Sequence, residues 1–177
     1  PSCDWNDADL ASLQTAVQSA EFKSELERGV AGERVIILDV VGDSTIGPWR
    51  TENQLEALHL LDQFTDQLSK PWPDALTSLD ALDAEHDALA ETPSIGVARV
   101  YVSLDSLGLV LAAKSAAIST ARQRCAVAAL ALQRHRLRYG QLPGALDQID
   151  PRCLGPAAQE TDALTDPFDG QPLRLAA

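Results

Sequence analysis

The sequence predicts a mainly α-helical protein, a bundle around one long central helix, with a short, turn-rich C-terminal tail that carries a minimal β element. Three observations support this prediction. Ala and Leu, the strongest helix formers, are abundant among the 45% of apolar residues, whereas aromatic residues are few. Apolar residues recur at intervals of three and four along much of the chain. The ten prolines and ten glycines fall mostly between these periodic stretches. A chain of 177 residues can form one ordinary core, so we predict a single domain.

The first 92 residues are predicted to be acidic helices. A helix over residues 7–28 is indicated by apolar positions such as Leu10 and Leu13, with Gly29 as its C-terminal cap. The segment Val30–Val41 is ambiguous. Its composition suits a buried strand, and it suits equally a core helix that is apolar on nearly all sides.

A helical hairpin is predicted over residues 52–91. Thr51-Glu52-Asn53-Gln54 has the pattern of a capping box at the start of the first helix. Pro71-Trp72-Pro73 breaks the chain, and Pro73 suits the first position of the second helix. Pro93 ends the unit. The two helices carry apolar stripes formed by Leu58, Leu61, Phe64 and Leu68, and by Leu76, Leu79, Leu82 and Leu89.

The central helix is predicted from about residue 97 to Tyr139, with Gly108 as a place where it can bend. Ile95–Leu104 alternates in a way that also suits a strand, but the composition from Asp105 onward favours a helix. Gly140 suits the C-terminal cap. Two apolar ridges predict packing on both sides of this helix: Ala121, Cys125, Ala128 and Leu132 on one, and Ala126, Leu130 and Leu137 on the other.

The tail, residues 140–177, is predicted to fold back as short turns. Asp169-Gly170 is a strong tight-turn pair, since Gly adopts positive φ readily. Because Phe168 and Leu173 flank this pair, we expect a two-stranded hairpin or a turn that leads into an edge strand. A small apolar surface is predicted from Leu142, Leu146, Ile149 and Leu154.

The formal charge of −12 argues against nucleic acid or an anionic membrane as a bulk partner. Residues 1–105 hold 20 acids and 6 bases, whereas residues 106–146 hold six bases and no acid. One interpretation is that acidic helices neutralise a basic one within the fold. The other is an anion-binding site along the ridge of Arg122, Arg124 and Arg136, although no Gly-rich phosphate loop accompanies it.

The ends of the chain suggest a longer protein. No apolar run reaches the ~18 residues that a membrane-spanning helix needs. The chain begins at Pro1 and contains no Met, so we expect a processed or excised piece with a signal or anchor upstream. Membrane association is expected only through such a segment.

A carboxylate–histidine metal site is the sharpest chemical candidate. Glu56 and His59 form a Glu-x-x-His pattern, and Asp83 and His86 form its Asp equivalent on the other arm of the hairpin. The helical wheel argues against this site. It places His59 on the polar side, and it places His86 on the apolar side as a hydrogen-bonded core histidine.

Other chemistry has less support, and we assign no residue to catalysis, to a cofactor or to a metal. No Gly-x-Ser-x-Gly or phosphate-binding Gly motif is present. Asp83 and Asp87 are interpreted as a solvated helix face. The chain has three cysteines, Cys3, Cys125 and Cys153, and an odd number argues against a framework of disulfides. Cys125 either pairs with Cys153 or, as we favour, is a buried free thiol.

Two carboxylates in the tail allow a further alternative. Asp166 and Asp169 surround the predicted tight turn, where they could bind Ca²⁺ together with main-chain carbonyls. We favour instead a turn held by hydrogen bonds from main-chain N–H groups to the Asp side chains, which needs no ion.

The tail carries a family resemblance. The run from Ala128 to Pro143, with Tyr139-Gly140-Gln141-Leu142-Pro143 at its end, precedes Asp166-Pro167-Phe168-Asp169-Gly170-Gln171-Pro172-Leu173. This pattern resembles the C-terminal part of a set of planctomycete envelope proteins without assigned activity. It is also similar to the soluble part of type II secretion pseudopilins, although Leu142 stands where they have Tyr and their hydrophobic anchor helix is missing here. The resemblance covers residues 115–175.

The resemblance implies a non-catalytic interaction or scaffold module of a bacterial envelope protein, periplasmic or anchored outside the cytoplasm, with a protein partner. The alternative is a helical-bundle enzyme, or a metal- or anion-binding protein.

Overall fold

The computed structural model describes residues 5–32, 49–90, 97–155 and 163–174, and the helices in these ranges confirm a mainly α-helical bundle with one long central helix. Within these ranges there is no strand, and the minimal β element is a single antiparallel bridge between Thr165 and Pro172. The helices are α1 (Asp7–Gln18), α2 (described residues 22–32), α3 (Trp49–Leu68), α4 (Trp72–Ala90), α5 (Val97–Tyr139) and α6 (Pro151–Leu154), with a 3-10 turn at Leu146–Gln148.

The chain divides into two compact units. One comprises Phe22–Ala117, and the other combines Pro1–Glu21 with Ile118–Ala177. Helix α5 therefore contributes its first part to one unit and the remainder to the other. The grouping of α1 with the tail was not foreseen, and the single domain stays a prediction.

The helical hairpin is the core of the Phe22–Ala117 unit. Helices α3 and α4 are joined by residues 69–71, as the Pro71-Trp72-Pro73 break predicts. The predicted stripes are largely confirmed, since Leu58 and Leu82 are half-buried and the rest that the structure describes are buried. The buried members are Leu61, Phe64, Leu68, Leu76 and Leu79, to which the structure adds Ala57, Leu60, Trp72 and Ala75.

The starts of both hairpin helices differ from prediction. Residues 49 and 50 are already helical, so Thr51 lies inside α3 and the predicted capping box is wrong. Helix α4 begins at Trp72, because the carbonyl of Pro71 accepts the hydrogen bond from the N–H of Ala75 at 2.8 Å. Pro73 is thus its second residue rather than its first.

Helix α5 joins this core through small and branched residues, Val110, Ala113 and Ala117. Lys114 Nζ lies 2.7 Å from a carboxylate oxygen of Asp80 on α4. This exposed pair is one case of the predicted neutralisation of the basic helix by acidic ones.

The predicted helix over 7–28 is wrong, because the chain forms two helices there. Helix α1 ends at Gln18, and α2 has begun by residue 22. The side chain of Gln123 stabilises the break, since its Nε2 donates to the carbonyls of Val17 at 2.7 Å and Ala20 at 2.8 Å. Carbonyls at the end of a helix lack intrahelical donors, and a residue distant in sequence supplies one here. Gly29 lies inside α2.

Helix α5 is buried along one face over residues 108–139, where its side chains are described. The predicted packing on both sides is wrong: Leu137 is 51% exposed, Cys125 is exposed, and Ala121, Ala126, Leu130 and Leu132 are only half-buried. Only Ala128 of the two predicted ridges is buried. The buried face consists of Val110, Ala113, Ala117, Thr120, Val127, Ala131 and Arg134 with Ala128 beside it.

The tail folds back as predicted. Gly140 ends α5 with φ +78°, and its N–H donates to the carbonyl of Arg136 at 2.8 Å. Leu146 and Ile149 are buried against α5, together with the half-buried Leu154, whereas Leu142 is 56% exposed and does not join them. The partners on α5 and α6 are Ala128, Ala131, Leu132 and Cys153.

The Asp169-Gly170 turn is also present. The N–H of Asp166 donates to the carbonyl of Gln171 at 2.8 Å, and Gly170 has φ +68°. The predictions for residues 33–41, Pro93 and Ile95 lie outside the described residues. Among the residues that the structure describes, no helix is long and apolar enough to cross a membrane.

We predict that Ile149→Ala lowers the free energy of unfolding by about 2–5 kcal/mol, because the side chain is buried and its removal leaves a cavity against α5. Leu142→Ala is the matched control, since that side chain is mostly exposed. Chemical denaturation monitored by circular dichroism measures both. Equal losses in the two variants would contradict the described packing of the tail.

Candidate functional site

The most conspicuous polar arrangement surrounds Arg134, which is 7% exposed although it is charged. Its Nε donates to Asp7 Oδ1 at 2.8 Å. Its Nη1 donates to Gln14 Oε1 at 2.8 Å and to the carbonyl oxygen of Cys153 at 3.1 Å. The flat guanidinium thus holds α1 and α6 against α5 at the same time. We call Asp7, Gln14, Arg134, Arg138 and Cys153 the Arg134 cluster.

Gln14 completes the cluster and is 1% exposed. Its Oε1 accepts from Arg134, while its Nε2 donates to the carbonyl of Leu154 at 2.9 Å. Gln18, one turn later, donates to the same carbonyl at 3.1 Å. Because both ends of the Gln14 amide are bonded, this buried polar side chain is satisfied and fixes α6 relative to α1.

A second arginine shares the same carboxylate. Arg138 Nη2 donates to Asp7 Oδ2 at 2.9 Å, so each oxygen of Asp7 faces one guanidinium. The hydrogen bond from Arg134 is the main reason that the pKa of Asp7 lies below its usual value, and Arg138 lowers it further. Asp7 is therefore held as a carboxylate between the guanidinium groups of Arg134 and Arg138.

A smaller cluster lies beside the first, at the end of α5. The Tyr139 hydroxyl donates to the carboxylate of Asp150, and the main-chain N–H of Asp150 donates to His135 Nδ1 at 3.2 Å. The rings of His135 and Tyr139 are in contact, with centroids 4.6 Å apart. The hydrogen bond to Asp150 raises the pKa of Tyr139 and lowers that of Asp150. Each polar group thus ties the tail to α5.

The described cysteines do not pair, and the buried one is not Cys125. Cys125 is exposed and Cys153 is buried, and both are free thiols. The predicted buried thiol at Cys125 is wrong because that residue lies on the outward side of α5. Burial raises the pKa of Cys153, so its thiol stays protonated and is not activated for nucleophilic attack.

The two tail carboxylates stabilise the turn by accepting hydrogen bonds from its main-chain N–H groups. Asp166 Oδ1 accepts from the N–H of Phe168, and Asp169 Oδ1 accepts from the N–H of Gln171, both at 2.8 Å. This is the arrangement that we favoured over Ca²⁺ binding. Arg124 attaches the turn to α5, since its Nη1 donates to the carbonyl of Thr165 at 2.6 Å.

The residues of the carboxylate–histidine pattern behave differently from one another. His59 is exposed, as predicted, and lies 3.1 Å from the Gln63 amide nitrogen. His86 is only half-buried rather than a core residue. Asp83 is not a solvated side chain, since its Oδ1 is buried and has no hydrogen-bond partner among the described residues, whereas Asp87 is exposed. In the described part of the chain, no three His, Cys, Asp or Glu residues form a group that could hold a metal ion.

The arginines of α5 fall into two classes over residues 108–139. Arg124, Arg134 and Arg138 bind the chain itself. The side chains of Arg122 and Arg136 are exposed, and their guanidinium groups form no ion pair or hydrogen bond with a described residue. The predicted anion-binding ridge is therefore divided, because the Arg124 guanidinium is engaged at Thr165.

Neither a family model, nor a curated protein, nor a solved structure matches this chain. The assignment of function therefore depends on the chemistry of these clusters.

Sequence reasoning missed three residues that position α1: Asn6, Gln14 and Gln123. Asn6 caps α1, because its Oδ1 accepts from the N–H groups of Ala8 and Asp9. The Asn-x-x-Asp spacing of Asn6 and Asp9 is a signal that could have identified this cap. For Gln14 and Gln123 the sequence offers no signal, because their partners are over 100 residues away.

We predict that Arg134→Lys lowers the free energy of unfolding by about 1–3 kcal/mol. Lysine keeps the charge but cannot reach Asp7, Gln14 and the Cys153 carbonyl together, so a buried acceptor loses its donor. Arg136→Lys is the control, since Arg136 is exposed. Urea denaturation of both variants tests this, and an unchanged stability of Arg134→Lys would be the contrary result.

The acid sensitivity of the fold follows from Asp7. Because its folded-state pKa lies below the ordinary 3.8, the unfolded chain takes up the proton first as the pH falls. We predict that the wild type is more stable than Asp7→Asn at pH 7. The difference should persist above pH 3.8 and shrink as the pH falls below it. Denaturation curves between neutral and acidic pH measure it, and a difference that does not change with pH would contradict this role of the carboxylate.

Proposed function

We propose that this chain is a non-catalytic interaction or scaffold module of a bacterial envelope protein, pseudopilin-like in its tail. The observation that carries the proposal is a contrast at the end of α5. The polar groups of the two clusters bind one another, while large apolar side chains beside them remain at the surface. Leu137, Tyr139 and Leu142, within six consecutive residues, are 50–56% exposed.

The engaged polar groups argue against catalysis by the two clusters. General acid–base and nucleophilic chemistry need groups that can exchange a proton with a substrate. Asp7 is held between two guanidinium groups, the Cys153 thiol is buried and protonated, and Asp150 binds Tyr139. Because these groups are engaged within the fold, a structural role is favoured over the enzyme alternative.

The exposed apolar groups favour a protein partner. Large apolar side chains that stay exposed within one short segment offer apolar area for contact with a partner. The resemblance of the tail to envelope proteins and to pseudopilins supports a position outside the cytoplasm, either periplasmic or anchored to a membrane. The net charge of −12 disfavours nucleic acid.

The test is site-specific photo-crosslinking in cells that produce the protein. We predict that a photoreactive residue at Leu137 or Leu142 forms adducts with another envelope protein, because those side chains are exposed at the proposed contact. The same residue at Ser19, which is exposed and polar, is the control. Cell fractionation accompanies the experiment. A protein found in the cytosol, without adducts at either position, would refute the proposal.

A further inference from the structure

The outward side of α5 carries a row of exposed residues within the unit that contains Ile118–Ala177. Successive members are separated by four, three, four, four and three residues, so they return to the same side with each 3.6-residue turn. We call this row the outer stripe. It consists of Ile118, Arg122, Cys125, Ala129, Gln133 and Arg136.

The outer stripe carries two positive charges that the described chain does not neutralise. Arg122 and Arg136 are 14 residues apart, which is about 21 Å along the helix axis. No acid occurs between residues 106 and 146, so no carboxylate on the same helix stands near either arginine. In contrast, Arg124, Arg134 and Arg138 each bind their own chain. A partner with carboxylates at matching positions would neutralise both charges.

The centre of the stripe is small and apolar. Cys125 and Ala129 project little from the helix, so a second helix can approach at the lower end of the usual 8–10 Å between axes. Ile118, which is 42% exposed, adds an apolar contact at one end. A narrow apolar centre with one arginine on either side of it suits a partner helix of similar length that carries negative charges.

We propose that the outer stripe binds an acidic amphipathic helix of a partner protein. Two carboxylates of that helix pair with Arg122 and Arg136, while its small apolar residues pack on Cys125 and Ala129. The inference rests on the proposed interaction function and names its surface and the chemistry of its partner. A second copy of this chain fits less well, because two outer stripes would bring like charges together.

The test uses a synthetic amphipathic helix of about 21 residues, with Ala and Leu on one side and two Glu residues 14 positions apart. Fluorescence anisotropy measures its binding to the full chain at low salt. We expect Arg122→Glu and Arg136→Glu each to weaken binding about tenfold, since each replaces an attraction by a repulsion. Ala129→Gln should also weaken it by keeping the helices apart.

Arg152→Glu is the matched control, because Arg152 is exposed in the same unit but lies off α5. We expect it to leave the affinity within about twofold of the wild type, and we expect ~0.5 M salt to weaken wild-type binding. No binding by the wild type, or an equal loss in Arg152→Glu, would overturn the proposal.

A positional measurement complements the affinities. A peptide with one central Cys should form a disulfide with Cys125 under mild oxidation and none with Cys125→Ser. Attachment elsewhere would overturn the proposal, as would displacement of the peptide by inorganic phosphate or a dimer linked through Cys125. Adducts at Leu137 or Leu142 that survive Arg122→Glu and Arg136→Glu would leave the interaction function standing and remove only this surface.

Discussion

The buried guanidinium of Arg134 is the constraint on which the unit of α1, the second part of α5 and the tail depends. A charge removed from water is costly unless it is paired and its donors are bonded. Asp7, Gln14 and the Cys153 carbonyl together meet this requirement. Each comes from a different turn or helix, so the requirement fixes where α1 and α6 lie against α5. Specificity here comes from directional bonds, which apolar contact between helices does not provide.

The unit relies on these hydrogen bonds all the more because many of its buried residues are small. Ala128, Ala131 and Cys153 are buried where the tail meets α5, and the larger Leu146 and Ile149 cover them. Small side chains allow close approach but remove little apolar surface from water. The hydrogen bonds of Gln14, Arg124 and Asp150 therefore supplement a thin core, and they explain why so many polar residues of this region are used within the fold.

Local sequence patterns predicted the helices and turns. Contacts between residues distant in sequence determine where α1 ends and which side of α5 is buried. The bounds of α5, the Gly140 cap and the Asp169-Gly170 turn follow from residues close in sequence. The break after Gln18 depends on Gln123, which a helical wheel of residues 7–28 cannot reveal. The inward side of α5 was misjudged for a related reason, since Thr120 and Arg134 are polar and were not counted among buried positions. The spacing of apolar residues therefore does not reveal the part of the candidate site that consists of buried polar residues, because these are buried through hydrogen bonds to residues distant in sequence.

Helical geometry separates the arginines of α5 into two roles that composition alone does not distinguish. Arg134 and Arg138 are one turn apart, so they lie on the same side of α5, and each binds one carboxylate oxygen of Asp7. Arg136 lies between them in sequence, yet about 200° around the helix from Arg134, which carries it to the outside with Arg122. The inward arginines stabilise the fold because their acid lies within it. The outward arginines pair with no described carboxylate, and by the same electrostatic reasoning a carboxylate from another molecule gives them a comparable contact.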